Sequence, residues 1–206
     1  MLMLALGTLV AAIVLMGGET TTTFFGEKAQ ASLVQMGVGE RLLVTNDYSA
    51  MLTFAGEPSV EPIRPGVDAA FRLAAVGTSV NSDCWIARFE FRAEGARASV
   101  SRFSVQLGQP GYGTLLRGER ALTPQEDTML REAMSKLDNA ALPSYPGTWR
   151  IDMWPMLLES GSMTNHVMGL RDGDYESGDM FEELYLFTLR IVRTTLLQPV
   201  APGNAG

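Results

Sequence analysis

A mainly β protein is predicted, an antiparallel sandwich-like domain with one packed amphipathic helix and an N-terminal transmembrane helix, with an α+β arrangement as the alternative. Three observations predict it. Seventeen uncharged residues, from Leu2 to Gly18, precede the first charge at Glu19. Short apolar runs broken by turn residues fill much of 40–107, as they do in antiparallel sheets. A capping box opens at Thr123, after which apolar residues recur at helical spacing.

The N-terminal run reads LMLALGTLVAAIVLM over residues 2–16. At about 1.5 Å per helical residue, seventeen uncharged positions come close to a hydrocarbon core of roughly 30 Å, at the lower edge of spanning length. A cleaved signal peptide would carry a basic region ahead of the apolar run, and only the α-amino group stands there. The small-x-small site Ala29-Gln30-Ala31 ends fifteen residues past Met16, too far from the apolar core for cleavage. Residues 1–18 are therefore expected to be a retained single-pass anchor in a lipid bilayer. The next basic residues are Lys28 and Arg41, and the chain holds only two lysines. Without a juxtamembrane basic cluster, the C-terminal domain is expected outside the cytoplasm, in the periplasm or at the cell surface.

Residues 19–39 carry Thr20 to Thr23, Phe24, Phe25 and three glycines without a regular period, and are expected to form a stalk. The two phenylalanines suit either a membrane interface or a plug at the base of the domain. The domain itself is assigned to 40–197. Runs at 41–45, 50–55, 67–76, 84–93 and 96–107 are read as strands. In 84–93, alternation puts Trp85, Ala87, Phe89 and Phe91 on one face and Arg88, Glu90 and Arg92 on the other, a half-buried strand. A hairpin turning at 94–96 joins it to the next run. The glycine-rich stretch 108–120 is expected to be a loop.

A helix is predicted from Thr123, with Pro124 at its first position and Glu126 three residues past the cap. Leu130, Ala133, Met134, Leu137 and Ala141 form its apolar stripe, and Pro143 ends it. Residues 148–152 and 184–197 are read as strands, the latter because LYLFTLRIVRTTLL is rich in β-branched and aromatic residues. Residues 198–206 are expected to be an extended or mobile tail.

The chain has 206 residues, 46% of them hydrophobic, enough apolar material for one core beside the anchor. Its net charge of −7 argues against nucleic acid as a partner, since phosphate backbones are bound chiefly by lysine and arginine. The charge is uneven: residues 61–120 hold eight arginines against six acids, and 121–206 hold six basic residues against twelve acids.

Candidate chemical groups are sparse. Cys84, the single cysteine, sits beside Trp85 and Ile86 and is expected to be a buried small hydrophobe. His166 is the single histidine, which rules out a two-histidine metal site, and Ser160-Gly161-Ser162 lacks the nucleophile elbow. The glycines at 108, 111 and 113 do not match a nucleotide-binding spacing. Trp149 and Trp154 are expected in the core rather than in a binding platform. The acidic run 172–183 places Asp172, Asp174, Glu176 and Glu183 at four carboxylate positions of a calcium loop. Ser177 stands where that loop needs its turn glycine, and Gly178 comes one residue late, so an ordinary acidic loop is preferred and no cofactor is expected, with Ca2+ as the alternative.

No complete catalytic motif is present, and the expected function is that of a non-catalytic, membrane-anchored accessory or structural subunit of a larger membrane protein assembly. Ala5, Gly7, Ala11 and Ala12 would let the anchor pack closely against integral membrane partners. Two rivals are a pilin-like filament subunit, which lacks here the prepilin cleavage site and the glutamate near the helix start, and an extracytoplasmic ligand- or calcium-binding domain.

Overall fold

In the computed structural model, which describes residues 24, 25, 27, 43–61, 63–75, 83–104, 112–139, 156–162, 166–171 and 180–196, the centre of the fold is an antiparallel sheet. Its strands are β1 (Ala69–Ala75), β2 (Asp83–Arg92), β3 (Gly95–Ser104), β4 (Leu116–Ala121), β5 (Met156–Ser162) and β6 (His166–Arg171), in the order β4-β3-β2-β1-β5-β6. Among the described residues three α-helices of six residues or more accompany it. A π-helical turn, Leu43–Tyr48, runs into α1 (Ser49–Phe54), and α2 (Pro124–Asn139) and α3 (Met180–Leu196) follow in the C-terminal half.

Apolar alternation decides which face each element covers. Phe71, Leu73, Trp85, Ala87, Phe89, Phe91, Ala98 and Val100 point to one face, where Leu130 and Met134 of α2 and Leu184, Phe187, Ile191 and Val192 of α3 close the main core. The opposite face carries Ala74, Cys84, Ile86, Phe103 and Leu157, covered by Val44, Tyr48, Met51, Leu52 and Ala55. The central strands are thus buried on both faces, and β1 is fully covered beyond its first residue. Arg88 and Glu90, read as the wet side of a half-buried strand, are closed off because 43–67 crosses that face.

Much of the predicted layout stands. The run at 67–76 contains β1, β2 and β3 each begin one residue before the runs at 84–93 and 96–107, and Arg92 pairs with Gly95 across the hairpin. The capping box forms as predicted: the Glu126 amide donates to Thr123 Oγ1 at 3.3 Å, and the Thr123 amide donates to Glu126 Oε2 at 2.9 Å. Cys84 is buried, as expected.

Four expectations are corrected. Among the described residues all six strands belong to one sheet faced by helices, so the layers are α on β rather than a two-sheet sandwich. The described part of the run 184–197, residues 184–196, is the body of α3, not a strand. Leu184, Phe187, Thr188, Ile191, Val192 and Thr195 are buried at spacings of three and four while Leu186, Arg190 and Arg193 are exposed, so helical periodicity overrides β propensity. The run 50–55 is likewise helical. Val44, Tyr48, Met51, Leu52 and Ala55 form one buried stripe that begins upstream, and the described part of 41–45 is the π-helical turn rather than a strand. Finally, the glycine-rich stretch 108–120 contains β4. Gly118 permits it, because a Cβ there would stand 2.8 Å from the Thr195 carbonyl oxygen of α3.

Of the stalk, Phe24, Phe25 and Glu27 are described. Phe25 is 3% exposed within the second core cluster, and the Phe24 amide donates to Ser49 Oγ at 3.3 Å. The two phenylalanines meet edge to face at 5.3 Å. Of their two readings, the plug is the one observed. The predicted anchor at 1–18, the strand at 148–152, Trp149, Trp154 and the tail at 198–206 lie outside the described residues.

Candidate functional site

The face of the sheet opposite α2 and α3 is apolar at both ends and charged in the middle. Arg72 of β1 lies directly across from Glu159 of β5, and their side chains form an ion pair with 0% and 1% exposure. Arg72 also donates to the Pro58 carbonyl at 3.1 Å, and its guanidinium lies over the Phe24 ring at 4.9 Å. One strand further, Arg88 of β2 donates to the same Pro58 carbonyl at 3.1 Å and to Glu90 Oε1 at 3.0 Å. The loop after α1 is thereby stitched to the sheet by two guanidinium groups sharing one acceptor.

From Arg88 towards β4 the charged face opens into a cavity of about 800 Å³. Its walls carry Arg64, Arg88, Arg92, Arg97 and Arg117, with Glu57, Glu90 and Glu119 as the acids and Ser99 and Ser101 as hydroxyls. Strand alternation accounts for the arrangement. Arg88, Glu90 and Arg92 on β2, Arg97, Ser99 and Ser101 on β3, and Arg117 and Glu119 on β4 point to this face through the registers Arg88↔Ser99, Glu90↔Arg97, Ser99↔Glu119 and Ser101↔Arg117.

Among the described residues, five arginines to three glutamates leave a surplus of two positive charges, and the pairing within the cavity is unequal. Glu90 serves three arginines: Arg88 at 3.0 Å, Arg92 at 2.9 Å and Arg64 at 3.7 Å. Burial works against its ionisation, but hydrogen bonds from Arg92 and Arg88 outweigh it and hold the Glu90 carboxyl below the usual carboxylate range. Glu119 pairs with Arg97 at 3.0 Å. Arg117 donates to the Ala55 carbonyl at 2.7 Å. Burial pushes the Glu57 carboxyl up, opposed in part by Arg72 and Arg88, although Ser101 Oγ donates to its Oε1 at 3.2 Å. Glu57 Oε2 and Arg92 Nε are closed to solvent without a hydrogen-bond partner among the described residues. Desolvation also lowers the Arg88 pKa, the cost of holding that cation in the wall.

A smaller cavity of about 250 Å³ lies on the helix face beside Phe91 and Met134. Its guanidinium, Arg131, is engaged by Asp127 at 2.8 Å and stacked over Phe91 at 4.8 Å. The larger cavity is therefore the stronger candidate.

The calcium-loop residues fare differently. Asp172, Asp174 and Glu176 lie outside the described residues, and Glu183 is exposed in the first turns of α3. Among the described residues no group of three or more histidine, cysteine, aspartate or glutamate side chains could hold a metal ion. His166 opens β6, paired with Gly161. Sequence reasoning missed the arginine cavity. Its signal was the recurrence of charged and hydroxyl residues at every second position of three consecutive strands, of which only Arg88, Glu90 and Arg92 on β2 were placed on a common face from sequence. No known family matches this chain, and no curated protein is significantly similar to it.

Proposed function

We propose that this protein is a non-catalytic accessory or structural subunit, anchored by residues 1–18 in a bilayer and docked through its sheet domain on the extracytoplasmic surface of integral membrane partners. The seating of Phe24 and Phe25 carries the reading. Phe24 stands six chain steps beyond Gly18, and an extended chain covers at most about 3.6 Å per residue, so the point where Phe24 meets the domain stands within roughly 20 Å of the end of the apolar run. Phe25 is built into the second core, so the chain meets the folded domain at that point. A short connection of this kind suits a subunit held at fixed height against neighbours better than one sampling a wide volume on a long flexible linker. The side chains gathered on the charged face, guanidinium groups and ion-paired carboxylates, are those of recognition by charge.

Purification of the detergent-solubilised protein under mild conditions tests the proposal, with other membrane subunits expected to co-purify in fixed ratio. Inserting a long glycine-serine segment between Gly18 and Glu19 is expected to leave the protein in the membrane while releasing the partners. A chain that purifies alone, or one whose partners tolerate the insertion, overturns it.

A further inference from the structure

The arginine cavity is more basic than the protein around it. The whole chain carries −7, yet this cavity gathers five guanidinium groups against three carboxylates. Like charges held together at a partly desolvated surface repel one another, and the usual remedy, one acid per base, is not applied: Glu90 is shared by three arginines and Arg117 has a neutral carbonyl as its hydrogen-bond acceptor. We infer that the cavity is a binding site for a phosphate-bearing ligand, with Arg97 and Arg117 on β3 and β4 as its principal contacts and Arg92 and Ser99 beside them.

Three features point to phosphate. A phosphate monoester or pyrophosphate brings two or more negative charges and several acceptor oxygens in one compact group, which matches a surplus of two and lets guanidinium groups from different strands share it. A single carboxylate would offset half of that surplus. The serine hydroxyls on the same face add donors of the kind phosphate oxygens accept. The volume, about 800 Å³, falls within the range of roughly 300–1,000 Å³ common for small-ligand clefts. Burial pushes up the carboxyl of Glu57, opposed only in part by Arg72 and Arg88, which weakens its opposition to an incoming anion. The described wall residues lie within 55–119, together with Thr195.

Phosphate can come from a soluble compound or from a lipid headgroup, and titration of the full-length protein in nonionic detergent separates the two. Inorganic pyrophosphate and dihexanoyl phosphatidic acid are the probes, with citrate as the carboxylate control, read by calorimetry. Saturable binding of one probe per chain, weakened by added salt, is expected. The R97Q/R117Q double variant should weaken it about ten-fold or more, since hydrogen bonds between charged groups are lost. Ser99→Asp is the second variant; it adds a carboxylate to a half-exposed wall position without removing an existing contact of the fold, and should weaken binding similarly. Tighter binding of pyrophosphate marks a soluble ligand, and tighter binding of phosphatidic acid marks a headgroup. Absence of saturable binding to either probe, equal binding to wild type and both variants, or tighter binding of citrate overturns the assignment.

Discussion

Arg72 and Glu159 face each other across the β1–β5 pair, and the ion pair they form is closed to solvent on every side. Arg72 sits in the otherwise apolar run AAFRLAA and Glu159 in MLLESGS, so each central strand brings one charge into the interior and the register brings the two together. Removing one partner leaves the other charge buried and uncompensated. Glu159→Ala is expected to destabilise the domain by roughly 3–5 kcal/mol, read as a lower midpoint in denaturant. Replacing both, as Arg72→Met with Glu159→Leu, is expected to recover most of that loss. A double variant as unstable as the single one would mean that Arg72 matters mainly through Pro58 and Phe24.

Glu57 contributes in the opposite sense. Burial raises its pKa above the ordinary 4.5, so folding disfavours the ionised form. In acid, below the ordinary value, both folded and unfolded chains carry it neutral and no cost arises; as pH rises through the elevated folded value, the cost appears in full. Glu57→Gln keeps an acceptor for Ser101 and is expected to raise the melting temperature near neutral pH. The gain should fade towards about pH 3.5, below the ordinary carboxylate range. An equal gain at both pH values would show that charge is not its origin.

The N-terminus of α2 combines a cap with an ion pair. Thr123→Ala removes the hydroxyl that accepts from the Glu126 amide and is expected to cost about 1 kcal/mol in a denaturant melt. Glu126 is held at about 2, first by the Arg120 side chain, which reaches both its oxygens at 2.8 Å, and then by the Thr123 amide. A depressed carboxyl stabilises above the ordinary value of 4.5, and that contribution is lost as pH falls through about 2. Glu126→Gln should therefore flatten the acid limb of the stability curve in that window.

At Gly118, β4 packs directly against the backbone of α3. A Cβ would meet the Thr195 carbonyl oxygen at 2.8 Å and its Cγ2 at 3.0 Å, and the oxygen belongs to helix backbone that cannot turn aside. Gly118→Ala is expected to destabilise by roughly 1–3 kcal/mol, as overpacking does. Adding Thr195→Ala removes the methyl contact but not the carbonyl, so recovery in a thermal melt should be partial. Full recovery would show that the side chain alone sets the spacing.

The elements legible from sequence were those whose pattern is local. Alternation from Trp85 to Phe91 fixed β2, the turn residues before Gly95 fixed its hairpin, and Thr123 with Glu126 fixed the start of α2. Composition misled where propensity and period disagree. In α3, aromatic and β-branched residues masked a stripe at Leu184, Phe187, Ile191 and Thr195, and in α1 the stripe becomes clear only when Val44 and Tyr48 are read with Met51 and Leu52. The arginine cavity was not legible, because it depends on register. Ser99 lies between Arg88 and Glu119, and Ser101 beside Arg117, only once three strands are aligned. Nor does sequence separation reveal that Arg72 meets Glu159 across 87 positions.

Whether residues 1–18 stay attached and hold the domain at a bilayer is read most directly by intact-mass spectrometry of the chain recovered from alkali-washed membranes. The mass of all 206 residues in the membrane pellet is the predicted result. A mature chain beginning at Ser32, or a full-length chain that partitions into the aqueous phase, would contradict it.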